Sequence, residues 1–567
     1  MKKRLTDFVE SCRGFLESYR EFNEKVYAPF TGRQRRGVVF CNIMLSLYVA
    51  VIIVLHSSGG HSARVAPFSA PLLIFAVYQA FKLFLLNHGN LHISYNKEKE
   101  RLSWKTFVIA SVITFVIFIL NLLANFPGGF GTDVIMKWTQ VQSGNFNNWH
   151  PAIYTMIIWL VTRILPEYSF FIGFQMMVFS VIVGYAATTL EAWGIKKRYI
   201  VLFMIAVISH STTRNILLYA WKDTALTILL LCLTVYMLNI VLSSGKWLSK
   251  WHNICAIAII GALATLVRHN GFFFMLPLGI ILVICYIKVT RKILFAIATS
   301  TLLVLGVTRI LYPVVGVDIV TDDPAHVFAE SVGLPMTILS GVMARNPERL
   351  DDQTRQFMNR IATDMEWRAT FELGNYNSVK FGGFETSRFV AEISPQELML
   401  MTLRTIRNDP QNSLLNVIAL TQMVWNPLVW HHGYGNIDNH NPEYIAIVTS
   451  ERENAIIQPA RSIGRVFYGF INIVLNMLIP TFMFSSIGLH MLLLLLAGVY
   501  SVNRNLGAKA LVLFIPSVLY NLGTMLLLSA PDYRFFHFNT VITLPLIVAL
   551  LAKNVGEIRL KTDAANS

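Results

Sequence analysis

The stretch Asn125–Pro151, reading NFPGGFGTDVIMKWTQVQSGNFNNWHP, concentrates groups able to accept a proton and hold a polar ligand. Gly128, Gly129 and Gly131 permit tight backbone turns just ahead of Asp133, the only acid in the stretch. An ordinary carboxylate is ionised at neutral pH, so Asp133 suits a general base; the competing reading has Thr132 or Asp133 capping a short helix, Val134–Gln142. Asn147, Asn148, Trp149 and His150 add stacking and hydrogen-bonding groups for a sugar or a phosphate. Their plainer reading is an interfacial tryptophan followed by a capped His-Pro helix start.

Three further clusters carry charge beside apolar runs. His210, Ser211, Arg214, Asn215, Lys222 and Asp223 follow the apolar run Tyr199–Ser209, which covers about 11 residues and roughly 16 Å, so that span is polar in its outer half. Ionisable groups so placed normally face a water-filled cavity. Asp223 suits binding a cation or orienting a base, or simply a helix start and a pairing with Lys222. Arg268, His269 and Asn270 sit in a turn before Gly271, and Asp532, Tyr533, Arg534 and His537 precede the last apolar run. Each has a plain alternative as a snorkelling or capping group.

What must position these residues is a set of apolar segments. The chain has 567 residues, 54% hydrophobic and only 14% charged, well below the roughly 25% of a soluble domain. Runs of membrane-spanning length fall at Val39–Leu55, Val65–Leu86, Phe107–Ala124, Tyr168–Leu190, Tyr199–Tyr219, Asp223–Leu242, Ile254–Val267, Gly271–Ile287 and Ile293–Leu311. After a polar insert come Leu489–Tyr500, Leu511–Ala530 and Phe535–Leu551. The expected fold is an all-α polytopic membrane protein with about 11–13 transmembrane helices and a mainly helical exterior insert. The division is a cytoplasmic segment 1–38, a transmembrane module 39–312 with the exterior loop 125–150, the insert 313–463, and a second module 464–567.

Charge sets the sides. Lys2, Lys3, Arg4, Arg13, Arg20, Lys25, Arg33, Arg35 and Arg36 keep the N-terminus in the cytoplasm, as do Lys97, Lys99, Arg101 and Lys105 for the next inside loop. Alternation from there puts Asp133, Lys222–Asp223, Arg268–His269 and Arg534 on the exterior face, with Pro151–Leu165 a helix lying on or dipping into the membrane surface. The scheme needs one crossing between Gly464 and Tyr500: either Val466–Met483 is interfacial or reentrant, or the parity of the scheme is wrong. Helical periodicity marks Phe328–Met343, Thr354–Met365 and Gln396–Arg407 in the insert, which is either a small domain resting on the membrane interface or a lid and acceptor-recognition module. The net charge of +15 fits basic cytoplasmic loops meeting anionic membrane lipids, and nucleic acid is not expected as a partner. None of the five cysteines lies in the insert, which favours a bacterial source. No Walker loop, dinucleotide fingerprint or zinc spacing is present.

At these residues the chain resembles the GT-C superfamily of membrane glycosyltransferases. The features are a long first exterior loop with an acid (Asp133), a downstream His-Pro (His150, Pro151), a Lys-Asp at an outer helix start (Lys222, Asp223), and Tyr533–Arg534 at the last span. It departs in lacking an Asp-Glu doublet and in carrying its extra domain mid-chain. The resemblance implies an inverting, hexosyltransferase-type transfer of a sugar from a polyprenyl-phosphate donor to a glycan or lipid acceptor outside the cytoplasm, as in cell-wall polysaccharide, teichoic acid or glycolipid biosynthesis at a bacterial plasma membrane. Asp133 would be the base. Arg268, His269, Arg534 and Lys222 would bind the donor phosphate; Asn148, Trp149, His150 and Asp223 would bind sugar and acceptor. A divalent cation is left open, with Asp133 and Asp223 as its candidate ligands. A lipid-linked glycan polymerase or ligase, or a flippase or transporter, is the alternative; a transporter would spread charge through the membrane depth and carry related halves.

Overall fold

The computed structural model describes residues 102–268, 271–318, 331–382, 393–429, 440–479, 482–501 and 507–551, with scattered residues between 14 and 79. The two earliest expected spans lie largely outside the described residues, and His269 lies wholly outside them. Every regular element of the described chain is helical.

Among the described residues, four helices are long and apolar enough to cross a membrane: Trp104–Ala124, Tyr168–Ala192, Lys222–Leu242 and Ile287–Val315. Their burial differs sharply. Lys222–Leu242 is 78% buried along its apolar window and Ile287–Val315 only 11%, so the first is the axis of the bundle and the last its periphery. The other apolar helices are shorter, including Ala152–Thr162, Trp251–Val267, Ile487–Ala497 and Ile515–Leu527. The expected span Tyr199–Tyr219 divides at His210 into Lys197–Ser209 and Ser211–Ile216. A helix of 13 residues reaches about 20 Å, short of a ~30 Å hydrocarbon layer. Irregular backbone at such depth is tolerated where protein satisfies it, and here His210 Nδ1 accepts from Thr213 N at 3.1 Å.

Among apolar helices, close packing supplies the cohesion that water cannot. Gly464, on Glu451–Leu478, lies so near Trp104–Ala124 that a Cβ would come within 2.1 Å of the Ala124 nitrogen. Glu451–Leu478 is one continuous helix that begins in the insert and runs past position 463. Val466, Phe467, Phe470, Ile473 and Met477 stay exposed along its second half, an apolar stripe suited to lipid.

The insert behaves differently. Its helices carry the side-chain caps of a water-facing domain: Asp351 accepts from the Thr354 nitrogen at 2.9 Å, Thr363 and Glu366 form a capping box, and Ser394 caps Pro395–Asn408. The expected periodic segments appear as Gly333–Arg345, Asp352–Ile361 and Pro395–Asn408. They close on a separate core around Met336, Phe357, Met358, Trp367, Tyr376 and Met401. Pro410–Trp425 instead sends Leu420, Met423 and Val424 into the main core. The insert is therefore rooted in the bundle rather than tethered beside it.

Candidate active site

The glycine-rich loop reaches its place through contacts that side chains would block. Gly128 has φ +137°, and a Cβ on Gly129 would lie 2.4 Å from the Tyr219 ring. The close approach lets Gly129 N donate to Leu218 O at 2.9 Å, while the Tyr168 hydroxyl donates to Gly129 O at 2.8 Å. From the other side Arg461, buried on Glu451–Leu478, donates through Nε to Phe126 O at 2.7 Å. Gln175, inside Tyr168–Ala192, donates to Leu217 O at 3.0 Å and fixes the partner strand of chain.

The fixed loop launches the helix Thr132–Ser143, whose N-cap is Gly131 with no side-chain cap bond. Neither Thr132 nor Asp133 does the capping that the sequence offered as an alternative. The Asp133 carboxylate turns instead to other parts of the chain. Arg534 Nη1 donates to its Oδ2 at 2.9 Å, and His150 Nε2 stands 3.7 Å from its Oδ1.

His150 is buried, and its orientation follows from its neighbour. Lys222 Nζ lies 3.3 Å from His150 Nδ1, and an ammonium only donates, so Nδ1 accepts and Nε2 carries the proton toward Asp133. Burial, then Lys222 and Lys137, push the imidazole down to about 3, so His150 is neutral. For Asp133, burial pushes upward, but the cations Arg534, Lys137 and Lys222 outweigh it and hold the carboxyl below its ordinary range. Asp133 is thus an ionised carboxylate with part of its surface open, at 28% side-chain exposure. The expected helix start is capped by Asn148, whose Oδ1 accepts from Ala152 N at 3.1 Å. Asn148 N in turn donates to Asp318 O at 2.9 Å, which ties this loop to the entry of the insert.

Arg534 sits in the single turn Tyr533–Phe535, where Asp532 accepts from its backbone nitrogen at 3.0 Å and lies 2.8 Å from its Nε. Arg268 follows the last residue of Trp251–Val267 and forms a buried ion pair with Asp223 of Lys222–Leu242. Its guanidinium also lies over the Phe535 ring at 4.7 Å.

These groups surround one cavity of about 620 Å³, whose wall includes Asp133, Asn148, Trp149, His150, Lys222, Arg268 and Arg534. Residues separated by as many as 401 positions thereby meet. Asp223 is not in the wall; its carboxylate is spent on Arg268, one layer behind. His210 and His537 leave the expected clusters too, sharing the buried Thr213 hydroxyl at 3.0 and 2.9 Å, while Arg214 donates to Ile208 O and Asn472.

Sequence reasoning overlooked two contributions. Lys137, one helical turn beyond Asp133, is buried beneath the site, and burial, partly offset by Asp133, lowers its ammonium to about 7. The spacing of four from Asp133 was the available signal. The insert supplies Ser331, Asn377, Lys380 and Phe381 to the cavity wall, and no local pattern marks them. Among the described residues of the wall, the cations Lys222, Arg268, Lys380 and Arg534 face the one carboxylate of Asp133, a lining suited to an anion. A divalent cation fits poorly: Asp133 and Asp223 are each engaged by an arginine, and among the described residues no three His, Cys, Asp or Glu side chains converge. Compared with protein-family models, curated proteins and solved structures, the chain matches none.

Proposed function

We propose that the protein is a membrane glycosyltransferase of GT-C-like architecture, with about 11–13 spans, acting on the exterior face of a bacterial plasma membrane. The observation that carries the reading is the cavity where an ionised Asp133 faces a wall of Lys222, Arg268, Lys380 and Arg534. The donor is a polyprenyl-phosphate-linked sugar and the acceptor a glycan or lipid hydroxyl. An apolar groove of about 260 Å³ adds support, lying among the helices that contain Thr265, Phe272, Met275, Leu282 and Ile297. Thr265 and Phe272 flank Arg268 in the chain, so a place for an apolar tail begins beside the phosphate-binding cations.

Asp133 takes the proton of the acceptor hydroxyl as its oxygen forms a bond to the anomeric carbon. The bond from that carbon to the phosphate oxygen breaks on the opposite face, inverting the centre, and the polyprenyl phosphate departs as an anion. Arg268 and Lys222 hold the developing charge, and no proton need be delivered to it. Arg534 aligns Asp133, and neutral His150 stands 3.7 Å from the other carboxylate oxygen. Asp223 positions Arg268.

The test is turnover of a defined polyprenyl-phosphate sugar by the purified protein in nanodiscs, with mass analysis of the acceptor. Asp133→Asn should keep the fold while lowering turnover by a factor of about 100 to 10,000. Unchanged turnover in that variant excludes Asp133 as the base. Arrival of a whole glycan on the acceptor would point to a polymerase or ligase instead.

A further inference from the structure

The insert contributes side chains to the cavity itself. Its short helix Tyr376–Gly382 brings Asn377, Lys380 and Phe381 into the wall. Lys380 is 5% exposed, with its ammonium 4.4 Å from the Phe381 ring and 5.9 Å from that of Tyr376. Two aromatic faces thus hold a buried cation at the cavity edge. Asn377 Oδ1 is shielded from solvent and accepts no hydrogen bond among the described residues. A buried acceptor of that kind is satisfied by a donor such as a hydroxyl. Phe381, at 72% exposure, offers an open ring face, and Trp149 lines the same cavity. An acceptor atom, a cation and aromatic faces together match a hydroxyl-rich ring that carries a negative charge.

The wall is fixed to the chemistry. Tyr376 N and Asn377 N both donate to Ser529 O, at 2.8 and 3.3 Å. Gly333 lies so close to the same loop that a Cβ would come within 2.2 Å of Leu528 O. That loop leads directly into Asp532 and Arg534, the partner of Asp133. Insert and base are therefore held in one register.

We infer that the insert is the specificity wall of the site, and that Lys380, with Asn377, selects an anionic glycan, the charge being a phosphate or a carboxylate. Naming that glycan as the acceptor rests on the transferase reading. Binding is measured by calorimetry on the full chain in nanodiscs, with glucose, glucose 6-phosphate and glucuronate as probes. The wild type should bind at least one anionic sugar roughly tenfold more tightly than glucose. The identity of the preferred sugar distinguishes phosphate from carboxylate. Lys380→Met should remove the preference, and Lys380→Arg should retain it. Equal binding of all three sugars by the wild type overturns the inference, as does a preference that survives in Lys380→Met. A Lys380-dependent preference without any transfer from a lipid-phosphate sugar defeats the transferase reading alone. Transfer with no charge preference defeats this inference alone.

Discussion

Replacing Asp223 by asparagine leaves the Arg268 guanidinium buried opposite a neutral amide. The side chains of Asp223 and Arg268 are only 3% and 8% exposed, so water offers little relief. At contact distance and an effective dielectric constant near 20, the lost attraction is about 4 kcal/mol. Breaking one side of a buried pair typically costs about 3–5 kcal/mol, in line with that figure. Arg268→Met should cost less, because a lone carboxyl can take up a proton whereas a guanidinium cannot shed one. The double variant Asp223→Leu/Arg268→Met should recover most of the stability, since an apolar pair of similar bulk avoids desolvation altogether. Denaturant unfolding in a fixed detergent reads all three, and turnover reads the consequence for the site. The double variant should be stable and yet bind the donor phosphate poorly, because the cation itself is gone. Single variants within about 1 kcal/mol of the wild type, with additive effects, would falsify the view that Asp223 exists to hold Arg268.

Other consequences can be measured independently. Lys137 has an ammonium lowered from 10.5 to about 7, so the unfolded chain binds the extra proton between those values. Wild-type stability should therefore fall as pH drops from about 10.5 to 7, and Lys137→Met should flatten that slope in pH-dependent unfolding. Glu453 is buried, and its carboxyl is raised from 4.5 to about 7, first by burial, with neighbouring Glu167 adding to the rise. The sign is opposite to a salt-bridged acid: its contribution is complete below 4.5 and lost as pH rises through about 7. Glu453→Gln should abolish that loss, as judged by melting temperature at pH 5 and 8. Gly129→Ala drives a methyl into Tyr219, whose ring is stacked on Trp221 at 4.0 Å and has little room to yield. It should cost about 1–3 kcal/mol and lower turnover as well, because the loop that yields carries Asp133.

Much of the site was legible because its members are charged residues at the ends of apolar runs. Sidedness alone grouped Asp133, Lys222, Arg268 and Arg534, and they share one cavity wall. The same argument misled at His210, Arg214 and His537, which also border apolar runs but satisfy one another and the backbone in the interior. Charge at a helix end does not say which way the side chain turns. Asp223 shows this most sharply, facing Arg268 rather than the cavity. Lys380 was invisible for another reason. It acquires its role from how a separately cored insert seats on the Leu528–Asp532 loop, and that is a long-range packing decision with no local periodicity. The helical character of the insert was readable from its 3.6-residue period. The continuity of Glu451–Leu478 was not, since its polar and apolar halves look like different segments.

The contact between Asp133 and Arg534 also has a history in the making of each molecule. The two residues leave the ribosome 401 positions apart, and at about 5–20 residues per second that is an interval of roughly 20–80 s. Throughout it, the loop with its carboxylate is already made while the arginine that aligns it has not been translated. A chain truncated before Leu528 would carry Asp133 without Arg534 and without the loop on which the insert seats. The Asp133–Arg534 pair would then form late, once the turn Tyr533–Phe535 has been made and has closed against the loop.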